Sequence, residues 1–138
     1  MFRTLKLIGI GIVVVVLIGL GWLFLSTERP DVYRHSISST IRDGAAGWGE
    51  FVPLIPGEFE LNEPGDMARG KLFRAGYKQI PNDKVWARYA SIIEDGKVIY
   101  SREADNFICA IRLRVFIEFN AEDRVVFAEG NIQEHGCM

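Results

Sequence analysis

The segment from Leu7 to Leu25, LIGIGIVVVVLIGLGWLFL, constrains this chain more than any other. It carries no charge, and the Trp22 indole is its one hydrogen-bonding side chain. As a helix rising about 1.5 Å per residue, it covers the roughly 30 Å hydrocarbon layer of a bilayer. A cleaved signal peptide has a shorter apolar core and small residues before the cut, whereas this segment runs on as Trp22-Leu23-Phe24-Leu25-Ser26-Thr27-Glu28. An uncleaved span over residues 7–25 is therefore expected, in preference to a cleaved signal or a buried core helix. Both cysteines, Cys109 and Cys137, lie far from this segment, which argues against a lipid-bearing cysteine as the anchor.

Orientation follows from the flanks. Arg3 and Lys6 precede the span without an acidic residue, while Glu28, Arg29, Asp31 and Arg34 after it mix signs. The positive-inside tendency puts residues 1–6 in the cytoplasm and the remainder in a periplasm-like space, with Trp22 and Phe24 near the outer interface. Gly9, Gly11, Gly19 and Gly21 offer smooth patches to another helix, but their spacing is not that of a dimerisation motif. Over the whole chain 16 basic residues face 18 acidic ones and neither sign forms a block. A nucleic-acid partner, which requires clustered basic charge, is not expected.

Residues 26–57 are expected to form a juxtamembrane helix and connector. Pro30, then Tyr33, Ile37 and Ile41 at four-residue spacing, predict a short amphipathic helix over Asp31–Arg42, resting on lipid or on the domain. His35 and its neighbouring hydroxyls do not form a nucleophile–base pair, because adjacent helical residues diverge by about 100°. From Gly44 to Gly57 glycines and prolines interrupt regular structure, yet Trp48, Phe51, Leu54 and Ile55 are unusual company for a linker. Either they cover the domain or they meet lipid or a partner groove.

Residues 58–138 read as an α+β domain. Asn62 as a cap, Pro64 in the first turn, Asp66 beside the positive dipole end and Gly76 as the stop predict a helix burying Met67, Ala68, Leu72 and Phe73. Val85–Ile93 and Val98–Arg102 read as strands joined by a turn at Glu94–Lys97, with Glu103 and Asp105 in a following loop. Period-two alternation is strongest from Phe107 to Phe119, where apolar residues alternate with Arg112, Arg114 and Glu118, so one face is core and the other partly wet. The length of this run predicts a bulge or bend. Val125–Ile132 returns from the Asn120–Arg124 turn. Keeping charge off the core places Val126, Ala128, Gly130 and Ile132 opposite Phe119, Ile117, Val115 and Leu113. The expectation is one N-terminal transmembrane helix, then short helices packed on one face of an antiparallel meander of about four strands.

In that register Cys109 falls opposite Gly136, one residue short of Cys137. The mismatch is small enough for a Cys109–Cys137 disulfide, the default for two lone cysteines in an oxidising compartment. A metal site of Cys109, His135 and Cys137 has neither the spacing nor the fourth ligand of structural zinc, and nothing implies a cofactor. Turn carboxylates are ordinarily solvated, and no phosphate loop or nucleophile elbow is present, so an enzyme is not expected. Arg112 and Arg114 beside Phe116, together with Trp48 and Phe51, form the candidate interaction surface, suited to an acidic peptide or lipid headgroup. The alternative is ordinary cross-strand pairing with residues such as Glu129.

From Ile55 onward, an Ile-Pro-Gly entry, a short helix, Val85-Trp86-Ala87-Arg88-Tyr89 and then Leu113-Arg114-Val115-Phe116-Ile117-Glu118-Phe119-Asn120-Ala121-Glu122-Asp123-Arg124-Val125 resemble the small envelope modules of the BamE/SmpA type. The chain departs from them in its membrane span, its fourth strand and its cysteine pair. The resemblance implies a non-enzymatic scaffold that binds envelope proteins or lipid. The expected role is thus a membrane-anchored binding or assembly module of the bacterial inner membrane, bound to the bilayer through residues 7–25 and to an envelope or inner-membrane protein. The alternative is an accessory single-span subunit of an inner-membrane complex.

Overall fold

The computed structural model describes residues 11–20, 34–84, 89–90, 95–105 and 109–137. Residues 11–20 are helical, and every side chain there is exposed. Among the described residues no helix is long and apolar enough to cross a membrane. The flanks of the expected 7–25 span, at 7–10 and 21–25, lie outside the described residues.

The domain is an α+β fold built on a five-stranded antiparallel sheet ordered β1-β5-β4-β3-β2. The long strands β3 (Val98–Asp105), β4 (Cys109–Phe119) and β5 (Val125–Cys137) form the expected meander, flanked by two-residue edges, β1 (Val52–Pro53) and β2 (Lys78–Gln79). Edges this short, one containing a proline, offer little backbone to a stray strand. Two of the five strands were not expected: β1, which the Gly44–Gly57 connector supplies, and β2, which follows the helix Gly65–Arg74. The β3 strand runs through Glu103 and Asp105, which were expected in a loop, and pairs Asp105 with Ala110. Of the strand expected over Val85–Ile93, Tyr89 and Ala90 are helical and the rest lies outside the described residues.

Helix α1 (Ser36–Gly44) starts later than the sequence predicts because His35 caps it, accepting a hydrogen bond from the Ile37 N–H at Nδ1. Ile37 and Ile41 enter the same core as Leu54, Leu113, Val115, Ile117, Ala128 and Ile132. The segment expected as a juxtamembrane connector is thus part of the domain, whose core begins before residue 58. Helix α2 (Gly65–Arg74) begins at Pro64, without a side-chain cap. Asn62 does not cap it; this residue takes a positive φ of 65° and donates its N–H to Val125 O. The helix ends as predicted at Gly76, whose φ of 80° lets its own N–H reach Phe73 O and the Tyr77 N–H reach Leu72 O. Its buried stripe is narrow: Gly65, Ala68 and Leu72 face the core, whereas Phe73 is 81% exposed and Met67 also faces outward. Small residues let α2 approach the sheet along one line, and residues about 100° to either side of it miss the core.

The predicted pairing of β4 with β5 holds for Leu113–Ile132, Val115–Gly130 and Ile117–Ala128. The register shifts at both ends. Phe119 pairs with Val125, leaving Val126 as the extra residue and Val125 in the core. At the other end Ala110 pairs with His135 and Cys109 with Cys137, so Gly136 is extra and the expected one-residue mismatch disappears. The cysteine side chains lie outside the described residues.

Candidate functional site

Three antiparallel pairings fix which residues share the sheet face opposite α1 and α2. Alternation along β4 sends Ile111, Leu113, Val115 and Ile117 to the helices and Arg112, Arg114 and Phe116 to the far face. Pairing with β3 sets Glu103 beside Arg112, Ser101 beside Arg114 and Ile99 beside Phe116, and β2 sets Lys78 beside Ser101. The far face therefore carries three successive rows: Glu103–Arg112–Gln133, Lys78–Ser101–Arg114–Asn131, and Ile99–Phe116–Glu129.

This face is more covered than a wet sheet surface. Phe116 is fully buried, packed with Ile99 and Tyr89, and Ile80 leans on the group. The Phe116 ring centroid lies 5.4 Å from that of Tyr89 and 5.3 Å from that of Phe51, separations suited to tilted aromatic packing. Arg114 is 2% exposed: its guanidinium lies 4.5 Å from the Tyr89 ring centroid and donates from Nη1 to Gln133 Oε1 at 2.7 Å. Tyr89 Oη donates to the same Gln133 oxygen at 3.3 Å. Arg112 forms an ion pair with Glu103 across the strands. Burial pushes the Glu129 carboxyl above the usual carboxylate range, with Lys97 partly opposing it.

Between this face, β2 and the 3₁₀ turn Asn82–Lys84 lies a cleft of about 590 Å³. Among its described lining residues, Lys78, Lys84, Arg102, Arg112 and Arg114 are cationic and Glu103 is the one carboxylate. That balance contrasts with a whole-chain net charge of −2. Ile80, Pro81, Ile99 and Tyr89 supply an apolar wall. Arg102 anchors the rim, donating to Ala75 O at 2.7 Å and lying against Gly76. The Ser101 hydroxyl is buried at the cleft with no hydrogen-bond partner among the described residues.

The five residues of the candidate interaction surface are not one exposed patch. Trp48 is 58% exposed and Phe51 partly so, whereas Phe116 and Arg114 are interior to the far face. Arg112 pairs with Glu103, while Glu129, the anticipated partner, stands opposite Phe116. Lys78, Lys84, Ser101 and Ile99 were not anticipated, although the alternation Ile99, Ser101, Glu103 along β3 carried the signal. The hydroxyls around His35 are structural: Ser36 and Thr40 donate to Glu58, and Ser38 shares a buried 3.0 Å hydrogen bond with the Tyr77 hydroxyl.

Comparison with protein-family models, with curated proteins and with solved structures found no match. The chemistry of the cleft is therefore read from its own residues. A guanidinium neither gives nor takes a proton at physiological pH, so these groups are suited to holding charge in place. Among the described residues no group of three or more His, Cys, Asp or Glu side chains is placed to hold a metal ion.

Proposed function

We propose that this chain is a membrane-anchored, non-enzymatic binding or assembly module of the bacterial envelope, taking its ligand in the far-face cleft. Residues 7–25 span the inner membrane, residues 1–6 are cytoplasmic and the domain is periplasmic. The cleft is the observation that carries the reading: a concavity of ligand size, with an apolar wall and convergent polar groups, on the sheet face opposite α1 and α2. The exposed apolar helix at 11–20 supports the anchor, and a helix-covered antiparallel meander supports the likeness to BamE/SmpA-type modules. The direct Cys109–Cys137 register supports a disulfide formed outside the cytoplasm.

The test uses the full chain in its membrane. A photo-cross-linking residue at Gln79, on the cleft rim, is expected to give specific adducts, and one at Leu61, away from the cleft, is not. Adducts from Leu61 alone overturn the assignment of the cleft. A reporter fused after residue 138 is expected to be active only if it functions outside the cytoplasm, and activity of a cytosolic reporter there overturns the topology.

A second reading, an accessory subunit whose helix makes the essential contacts, is favoured by one observation: among the described residues every side chain of the 11–20 helix is exposed, and Gly11 and Gly19 add none of their own to its surface. Exchange of Leu7–Leu25 for an unrelated span separates the two. A binding module keeps its cross-links at Gln79, whereas an intramembrane subunit loses its partners.

A further inference from the structure

We infer that the far-face cleft binds an amphiphilic oxyanion, a phosphate or carboxylate attached to a short apolar body. This inference rests on the cleft being the binding surface. It names the ligand chemistry, which the binding reading leaves open.

Successive same-face residues on a strand stand about 7 Å apart, so the cleft changes character over a known distance. Its apolar end is Ile80 and Pro81 over the buried Ile99 and Tyr89, and the next row holds Lys78 and Ser101. Among the described residues neither Lys78 nor Lys84 has an ion-pair partner, and both are exposed at the cleft. The Ser101 hydroxyl, in the row between Lys78 and Arg114, is buried without a hydrogen-bond partner among the described residues, a state that costs about 1–3 kcal/mol and that an incoming acceptor relieves. An oxyanion is such an acceptor, and the two ammonium groups supply its countercharge. Glu103 does not oppose it, since that carboxylate is engaged by Arg112. A purely ionic ligand leaves the Ile80–Pro81 wall wet, and a purely apolar one leaves Ser101 unpaired. A molecule with its charged and apolar ends about 7 Å apart satisfies both.

The experiment places the full chain in phosphatidylcholine nanodiscs and titrates it by calorimetry with octyl phosphate, octanoate, inorganic phosphate and octanol, with empty discs subtracted. The two amphiphilic anions are expected to bind at least about tenfold more tightly than inorganic phosphate or octanol. Lys78→Gln combined with Ser101→Ala is expected to remove at least about tenfold of that affinity, while Arg74→Gln, outside the cleft, leaves it unchanged. Discs containing phosphatidic acid separate the sources of the anion. Competition with octyl phosphate there identifies a lipid headgroup, and undiminished binding identifies a free amphiphile. Equal binding of octanol, of inorganic phosphate, or of an oligoglutamate peptide in place of the amphiphiles overturns the inference. Cross-links at Gln79 without amphiphile binding overturn it while sparing the binding role, whereas absence of both overturns the binding role itself.

Discussion

Gly130 is where Ile41 of α1 packs directly against the β5 backbone, and replacing it by alanine tests that packing. A Cβ at residue 130 falls 2.6 Å from Ile41 Cγ1 and 3.2 Å from the Arg114 carbonyl oxygen. Ile41 is fully buried and the carbonyl belongs to the paired β4 backbone, so neither side has room to yield. Forcing a methyl group into such a site costs about 1–3 kcal/mol. Against this, alanine regains about 0.5–1 kcal/mol of the entropic penalty of a strand glycine. A net loss of about 1–2 kcal/mol follows, which lowers the midpoint of a domain of this size by about 4–8 °C per kcal/mol. The assay is thermal and urea unfolding of the full chain in detergent, followed by circular dichroism. Ile41→Ala alone costs about 2–5 kcal/mol. Combined with Gly130→Ala it removes both Ile41 atoms in conflict, Cγ1 and Cδ1, so the two changes should couple favourably by at least about 0.5 kcal/mol. A stable Gly130→Ala variant, or strict additivity in the cycle, refutes the placement of α1 over this strand.

The Arg69 guanidinium donates to both oxygens of Asp123, at 2.9 and 2.5 Å, and holds its carboxyl below the usual carboxylate range. The stability this pair contributes is complete above the unfolded value of about 3.9 and is lost as pH falls through the lower folded value. Asp123→Asn, which keeps a side chain tolerant of the φ of 56° at that turn, should therefore narrow the stability difference from wild type below about pH 4. Both partners are partly exposed, so added salt should shrink the effect, as urea midpoints across pH and ionic strength will show. Tyr77→Phe strands the buried Ser38 hydroxyl and should cost about 1–3 kcal/mol, whereas Tyr77→Phe with Ser38→Ala should cost less, as denaturant unfolding will measure. The thiols of Cys109 and Cys137 should resist maleimide in the unfolded, unreduced chain and react after reduction, with reduction costing about 3–4 kcal/mol in the chain-entropy model. Reaction before reduction removes the disulfide from the account.

Local pattern was enough for the central meander. The alternation of Ile111, Leu113, Val115 and Ile117 assigns one face to the core wherever charges sit between, and a one-residue slip exposes every one of them, so the register with Ala128, Gly130 and Ile132 was legible. The helix stop at Gly76 was equally local, because the closing hydrogen bonds demand a positive φ that glycine supplies. Both bulges escaped the pattern. A bulge adds one residue without changing composition, and only the continuous ladder shows that Gly136 is the extra residue bringing Cys137 opposite Cys109.

What the chain's sequence determined by itself is which residues of the domain must avoid water: the alternating strand and the Ile37–Ile41 pair. What covers each of them was a tertiary decision. Phe73 reads as core on its helix yet is exposed, and Phe116 reads as half-wet yet is buried, because the neighbours that settle their burial are distant in sequence. The cleft belongs to the same class. Lys78, Ser101, Arg114 and Ile99 come from three strands, and only their pairing sets cations, a lone hydroxyl and an apolar wall around one space.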